Sequence, residues 1–170
     1  AAASGTAEVP KISLRKALES QPWDYVTIQQ VSNKSFLAET YQPYASILIA
    51  YVHKYAPQAK ILIQQTWAYP DDYYTKFEVK GLDRPKMYAG LKAAYQKLSD
   101  ETGLPLIRVG DAFQAMLNSA NPMVLNNRGD KHANVNGRYL GSAMFYEAFY
   151  QDDVTRVNYV ADKMTPEDAK

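Results

Sequence analysis

Short runs rich in β-branched and aromatic residues alternate along this chain with longer segments in which apolar residues recur every three or four positions. This alternation is the strongest constraint on the fold. Strands that run in the same direction need a long crossover between them, usually a helix, so the order strand, helix, strand predicts a parallel sheet with helices on both faces. Residues 13–20 predict a short helix, and WDYVTIQQ at 23–30, after Pro22, predicts a buried strand. From Thr40 to Lys54 the apolar residues Tyr41, Tyr44, Ile47, Leu48, Tyr51 and Val52 fall at helical spacing, with Thr40 as N-cap and Pro43 in the first turn. Ala56-Pro57 ends that helix.

Residues 59–66 predict a second strand, whose run Ile61, Leu62, Ile63 is typical of a strand covered on both faces. The segment 67–82 reads as a long loop. Asp83 caps a helix that reaches about Thr102, with Met87, Leu91, Ala94, Tyr95 and Leu98 on one face and Gly103 as its stop. Residues 104–110 predict a third strand, Asp111 caps a short helix over 112–118, and 119–135 is loop-like. Asn136 caps a last helix carrying Tyr139, Leu140, Ala143, Tyr146 and Phe149, and 151–170 is polar and poorly patterned.

A length of 170 residues predicts one domain over 1–170, with its core at about 13–150 and a polar tail at 151–170. The 19 basic and 18 acidic side chains leave a net charge of +1, so no bulk field gathers nucleic acid or an anionic membrane. No basic stripe with interleaved aromatics suggests RNA, and nucleic acid is not an expected partner. The absence of Cys removes disulfides, thiolate zinc and a Cys nucleophile together. No apolar run reaches the roughly 18–20 residues that span a bilayer, and AAASGTAEVPKIS has neither the basic nor the apolar region of a signal peptide. The 8 glycines form no phosphate loop, and no His, Asp or Glu cluster has metal-ligand spacing, so neither cofactor nor metal is expected. Asp71-Asp72 and Asp152-Asp153 are sequence neighbours and read as solvated pairs.

Ligands of open α/β sheets bind beyond the carboxyl ends of the strands. The loops to inspect are therefore those after Gln30, Gln65 and Val109, and the segment before the last helix. Of the two histidines, His53 sits on the polar side of a helix, in YVHKYAP. His132 lies in NNRGDKHANVNG, two residues after Asp130. A loop histidine beside a carboxylate suits a general base, because the carboxylate orients the ring and stabilises the imidazolium, while the same spacing also fits a solvent-exposed GDKH turn. Gln30, Ser32 and Asn33 follow the first strand as candidate oxyanion or substrate donors. Gln65, Trp67 and Tyr69 follow the second. There the glutamine either meets substrate or bonds loop backbone, and the rings either wall a sugar site or cover the sheet edge.

Three segments, WDYVTIQQVSNKSF, AKILIQQTWAY and GDKHANVNGRYLGSAMFYEAF, resemble in this order a bacterial domain family within the SGNH hydrolase (GDSL-like esterase) superfamily, over roughly Ser13 to Tyr150. The resemblance implies a flavodoxin-like three-layer α/β/α fold and a Ser-His-Asp hydrolase acting on O-acyl esters, often acetyl groups on carbohydrate. It implies a periplasmic or secreted location in a bacterium. His132 matches the catalytic histidine, while the position of the family aspartate, three residues before it, holds Gly129. Two arrangements follow: Asp130 reaches the ring from a shifted turn, or a Ser-His pair works with a backbone carbonyl.

The superfamily nucleophile stands in a G-D-S or G-N-S turn after the first strand, and no serine here follows a hydrophobic strand in such a turn. The resemblance thus starts partway into the family's domain. It implies a first strand and a nucleophile upstream, activity in the full-length protein and not in this chain alone, and an N-terminal part or an oligomer partner over the sheet edge. The alternative is a non-catalytic carbohydrate-binding or scaffold protein of the same fold, with Trp67, Tyr69, Tyr73 and Tyr74 as a stacking surface.

Overall fold

The computed structural model describes residues 11–77 and 81–169. The chain runs α1 (Leu14–Glu19), β1 (Tyr25–Ile28), α2 (Tyr44–Tyr55), β2 (Lys60–Gln64), α3 (Asp71–Phe77), α4 (Arg84–Thr102), β3 (Leu106–Ile107), α5 (Val109–Leu117) and α6 (Val135–Tyr150). The three strands among the described residues form one parallel sheet in the order β1-β2-β3, with Ile28 opposite Ile63 and Gln64 opposite Ile107. The expected α/β class and parallel sheet are what the structure shows.

The β2 run is buried on both faces, as its composition requires. Ile61 and Ile63 join the core that includes Val52 of α2 and Met87, Leu91, Ala94, Tyr95 and Leu98 of α4. Leu62 points the other way, into the core with Phe113 of α5 and Leu140, Met144 and Phe149 of α6. The sheet is the middle of three layers. β1 is less covered than its sequence predicts: Ile28 is buried, but Thr27 is exposed.

Local chemistry explains several helix ends. Ser13 Oγ accepts the Lys16 N–H of α1, and Asp83 accepts the Lys86 N–H of α4 at 2.8 Å. Gly103, at φ 68°, closes α4 in the left-handed region that glycine adopts without a Cβ penalty.

Several boundaries differ from the sequence reading, among them the start of α5, where Asp111 lies in the first turn and Arg108 is the cap position. Thr40 does not cap α2; its Oγ1 donates to Leu37 O in a 3-10 turn, and Gln42 Oε1 accepts from Ser46 N–H and Oγ–H in the helix's first turn. The strand expected over 104–110 is only Leu106–Ile107, because Val109 already opens α5. A short apolar run carries no period that separates strand from helix. Part of the expected 67–82 loop is α3. Asn134, not Asn136, caps α6: its Oδ1 accepts the Gly137 N–H while its Nδ2 donates to Val124 O and Asn126 O. The tail returns along α6, with Tyr139 donating its hydroxyl to Tyr159 O at 2.6 Å.

Candidate active site

β1 and β2 end side by side, and a cavity of about 310 Å³ opens at their carboxyl ends. Gln29, Val31 and Ser32 line it from the β1 side, Gln64, Thr66, Trp67 and Tyr69 from the β2 side, and Lys131 and His132 from the turn before α6. Two of the expected loops and the segment before the last helix meet here. The third, after Val109, does not line the cavity, since the chain there is already helical.

His132 Nδ1 lies 2.9 Å from Asp130 Oδ1 and 3.0 Å from Oδ2, and the His132 N–H also donates to Oδ1 at 3.3 Å. This is the shifted-turn arrangement. The turn is closed by Asp130 N–H on Asn127 O and Asn127 N–H on His132 O, next to the antiparallel Asn126–Ala133 bridge. A proton on Nδ1 shared with the carboxylate leaves Nε2 as the basic nitrogen. The imidazole is 72% exposed and the carboxylate 40%. His53 is exposed on α2, away from the cavity lining.

Partial desolvation works against ionising Asp130, but the His132 N–H, the His132 ring and the Lys131 N–H together hold its carboxyl below the usual carboxylate range. A carboxyl whose pKa is lowered by folding stabilises the fold above its unfolded value and loses that contribution as pH falls through the folded one. A carbon-13 titration of Asp130 is therefore expected to show a midpoint below about 3.9, the ordinary Asp value, that rises in His132→Ala. An unmoved midpoint would show that the pair does not form in solution.

The strand-end glutamines divide by the two-residue period of the pleat. Gln64 faces the cavity, whereas Gln65 is fully buried, accepting the Asp111 N–H at 2.8 Å and donating to Asp111 Oδ1 at 3.3 Å. Gln30 donates its amide to Thr40 O and Oγ1 and accepts the Val31 N–H, so its polar atoms are engaged in the loop. Asn33 is exposed and outside the cavity lining. Ser32 lines the cavity, where its Oγ accepts the Tyr69 hydroxyl at 3.0 Å.

Trp67 stacks on Phe113 at 4.7 Å and 10°, and its indole N–H donates to Lys131 O at 3.0 Å. Tyr69 is buried and packs on Tyr73 at 4.7 Å. Both rings thus spend much of their surface within the protein. Gln29, Gln64 and Thr66 escaped the sequence reading. The signal that could have found Gln64 is register: it stands one residue past Ile63, the partner of Ile28.

The sequence matches the family described as "Domain of unknown function (DUF4886)" over residues 4–170. The chain belongs to the DUF4886 family. A DUF4886 family protein from Bacteroides uniformis has the same fold, with a TM-score of 0.83 and 26% identity over 93% of this chain and 62% of its own. A protein from Parabacteroides merdae, provisionally named a GDSL-like lipase, aligns with a TM-score of 0.51 and 22% identity over 68% of this chain and 50% of its own. That second likeness is one of fold. This DUF4886 chain therefore spans less than two thirds of either relative's length. No curated protein matches it. Among its described residues no helix is long and apolar enough to cross a membrane, and no group of three His, Cys, Asp or Glu could hold a metal ion.

Proposed function

We propose that this DUF4886 protein is an SGNH-type ester hydrolase that removes O-acyl groups, acetyl above all, from carbohydrate. The observation that carries the reading is the carboxylate-paired imidazole of His132 at a cavity formed by the carboxyl ends of two parallel strands. The fold likeness to a protein named as a GDSL-like lipase agrees with it.

In this reading a serine from a segment upstream of the chain attacks the ester carbonyl, and Nε2 of His132 takes the hydroxyl proton. The tetrahedral oxyanion receives hydrogen bonds from backbone N–H groups and from the Ser32 hydroxyl. Collapse breaks the bond to the alcohol, which leaves with the proton held by His132. Water then attacks the acyl-serine by the same route, releasing the carboxylic acid and restoring the serine. Asp130 stabilises the imidazolium in both halves.

The upstream segment also supplies a strand. Among the described residues β1 pairs only with β2, Thr27 is exposed in mid-strand, and Tyr44 and Ile47 of α2 are 71% and 61% exposed. An open strand edge beside uncovered apolar groups is what another strand covers. The N-terminal part of the same domain is the natural source, and a second copy of the chain is the alternative. A periplasmic or secreted location follows from a carbohydrate substrate outside the cytoplasm.

The test is fluorophosphonate labelling of the full-length protein, with p-nitrophenyl acetate turnover measured in parallel. Turnover and one labelled serine outside residues 1–170 are expected. Neither label nor turnover, with acetylated glycans still bound, would establish the non-catalytic binding protein instead. A label on Ser32 would overturn the upstream placement of the nucleophile.

A further inference from the structure

We propose that Asp72 and Trp67, both in the segment that follows β2, are positioning residues that clamp the turn carrying Asp130 and His132. The kinetic part of this inference rests on the hydrolase reading; the structural part does not.

The turn is gripped on either side of Asp130. Before it, the Gly129 N–H donates to Asp72 Oδ2 at 2.7 Å, across 57 sequence positions. After it, Lys131 O accepts the Trp67 indole N–H at 3.0 Å, across 64 positions, and the Asn126 amide at 3.1 Å. Gly129 has a φ of 64°, so the chain reverses at the residue whose amide Asp72 holds. The Asp72 bond is charge-assisted but exposed, so solvent weakens it, and the half-buried Trp67 N–H on Lys131 O is the firmer of the two grips. Trp67 is itself fixed by its stack on Phe113, a buried residue of α5.

The need for a clamp follows from exposure. With side chains 72% and 40% exposed, His132 and Asp130 form a hydrogen-bonded pair at the surface, ionic only when the imidazole is protonated. Exposed pairs of this kind are too weak to hold a catalytic geometry against solvent and side-chain entropy. The geometry must then come from the backbone, and the backbone is tied to the end of the strand that also supplies Gln64 and Thr66 to the cavity. One segment thereby sets the distance between the imidazole and the strand tips. Misplacing a reacting group by about 1 Å can cost about 10²-fold in rate.

The experiment uses the full-length protein with three substitutions. Asp72→Ala removes the acceptor, Asp72→Asn keeps an acceptor oxygen, and Trp67→Phe keeps a ring on Phe113 but loses the N–H. The first readout, independent of catalysis, is the carbon-13 titration midpoint of Asp130. It is expected to rise to the ordinary Asp range in Asp72→Ala and Trp67→Phe, and to return most of the way to wild type in Asp72→Asn. The second is p-nitrophenyl acetate hydrolysis. In Asp72→Ala kcat is expected to fall about 10²-fold with KM nearly unchanged, since Asp72 does not line the cavity. Folded Asp72→Ala and Trp67→Phe proteins with the wild-type Asp130 midpoint would overturn the clamp. A shifted midpoint in a protein that hydrolyses no ester would sustain the clamp and sink the hydrolase reading.

Discussion

Replacing His132 with alanine in the full-length protein is expected to lower kcat for p-nitrophenyl acetate by about 10⁴-fold or more, with thermal stability unchanged. The size follows from the role. Without a base the serine hydroxyl keeps its proton during attack, and the leaving alcohol departs without one. What survives is the contribution of substrate binding and the oxyanion donors. Stability is spared because the ring is 72% exposed and its partner, the Asp130 carboxylate, is itself 40% exposed; surface changes of this kind stay within about 0.5 kcal/mol. Asp130→Asn should approach the same loss, about 10⁴-fold, by presenting an amide where the carboxylate stabilises the imidazolium. The measurement is a steady-state assay paired with a melting curve. Full activity in folded His132→Ala would end the proposal that this imidazole is the base, whatever residue then replaced it.

Gly110→Ala is expected to have a large effect on the fold itself. A Cβ at Gly110 would stand 2.2 Å from Thr66 O and 3.1 Å from Gln65 Oε1. Neither can give way easily. Thr66 O is backbone at the end of β2, and the Gln65 side chain is fully buried and bonded to Asp111. Relief requires α5 to move off the strand end, which opens the core around Val109 and Phe113. Overpacking usually costs 1–3 kcal/mol, and a clash with backbone belongs at or beyond the upper end, about 3 kcal/mol or more. In a domain of this size that lowers Tm by roughly 6–12 °C. Gly141→Ala is the control, since its Cβ would meet Val109 Cγ1 at 3.7 Å, an ordinary contact. In mid-helix that change should hold or raise Tm, because alanine favours helix over glycine by about 1 kcal/mol. Equal melting curves for Gly110→Ala and wild type would show that α5 is not seated on Thr66 as described.

The outcome at individual elements shows which kinds of information a sequence carries locally. Asp83 and Gly103 bound α4 where expected, because caps are chosen by chemistry within one turn. Ile61, Leu62 and Ile63 announced a two-sided strand, because burial on both faces demands an unbroken apolar run. His132 and Asp130 are close in sequence, and their pairing depends only on a tight turn. The reading failed where two segments had to meet. Nothing near Val109 says that Gly110 must sit against Thr66, so the run 104–110 looked like one strand instead of a short strand and a helix start. Asn134 and Asn136 are both plausible caps, and the choice is made by Val124 and Asn126, which hold the Asn134 amide. Gln64 and Gln65 are identical side chains one pleat apart, and only the placement of α5 decides that Gln65 is the buried one.

The main alternation of strands with helices, the parallel sheet it forms and the closeness of His132 to Asp130 along the chain were determined by the sequence alone. Each depends on composition and spacing within a single segment. The cavity, the burial of Gln65 and the grip of Asp72 and Trp67 on the His132 turn were decided only by the tertiary structure. The bonds behind the last two join groups separated by 46–64 positions, the cavity joins three separate segments, and no local pattern encodes the distances between them.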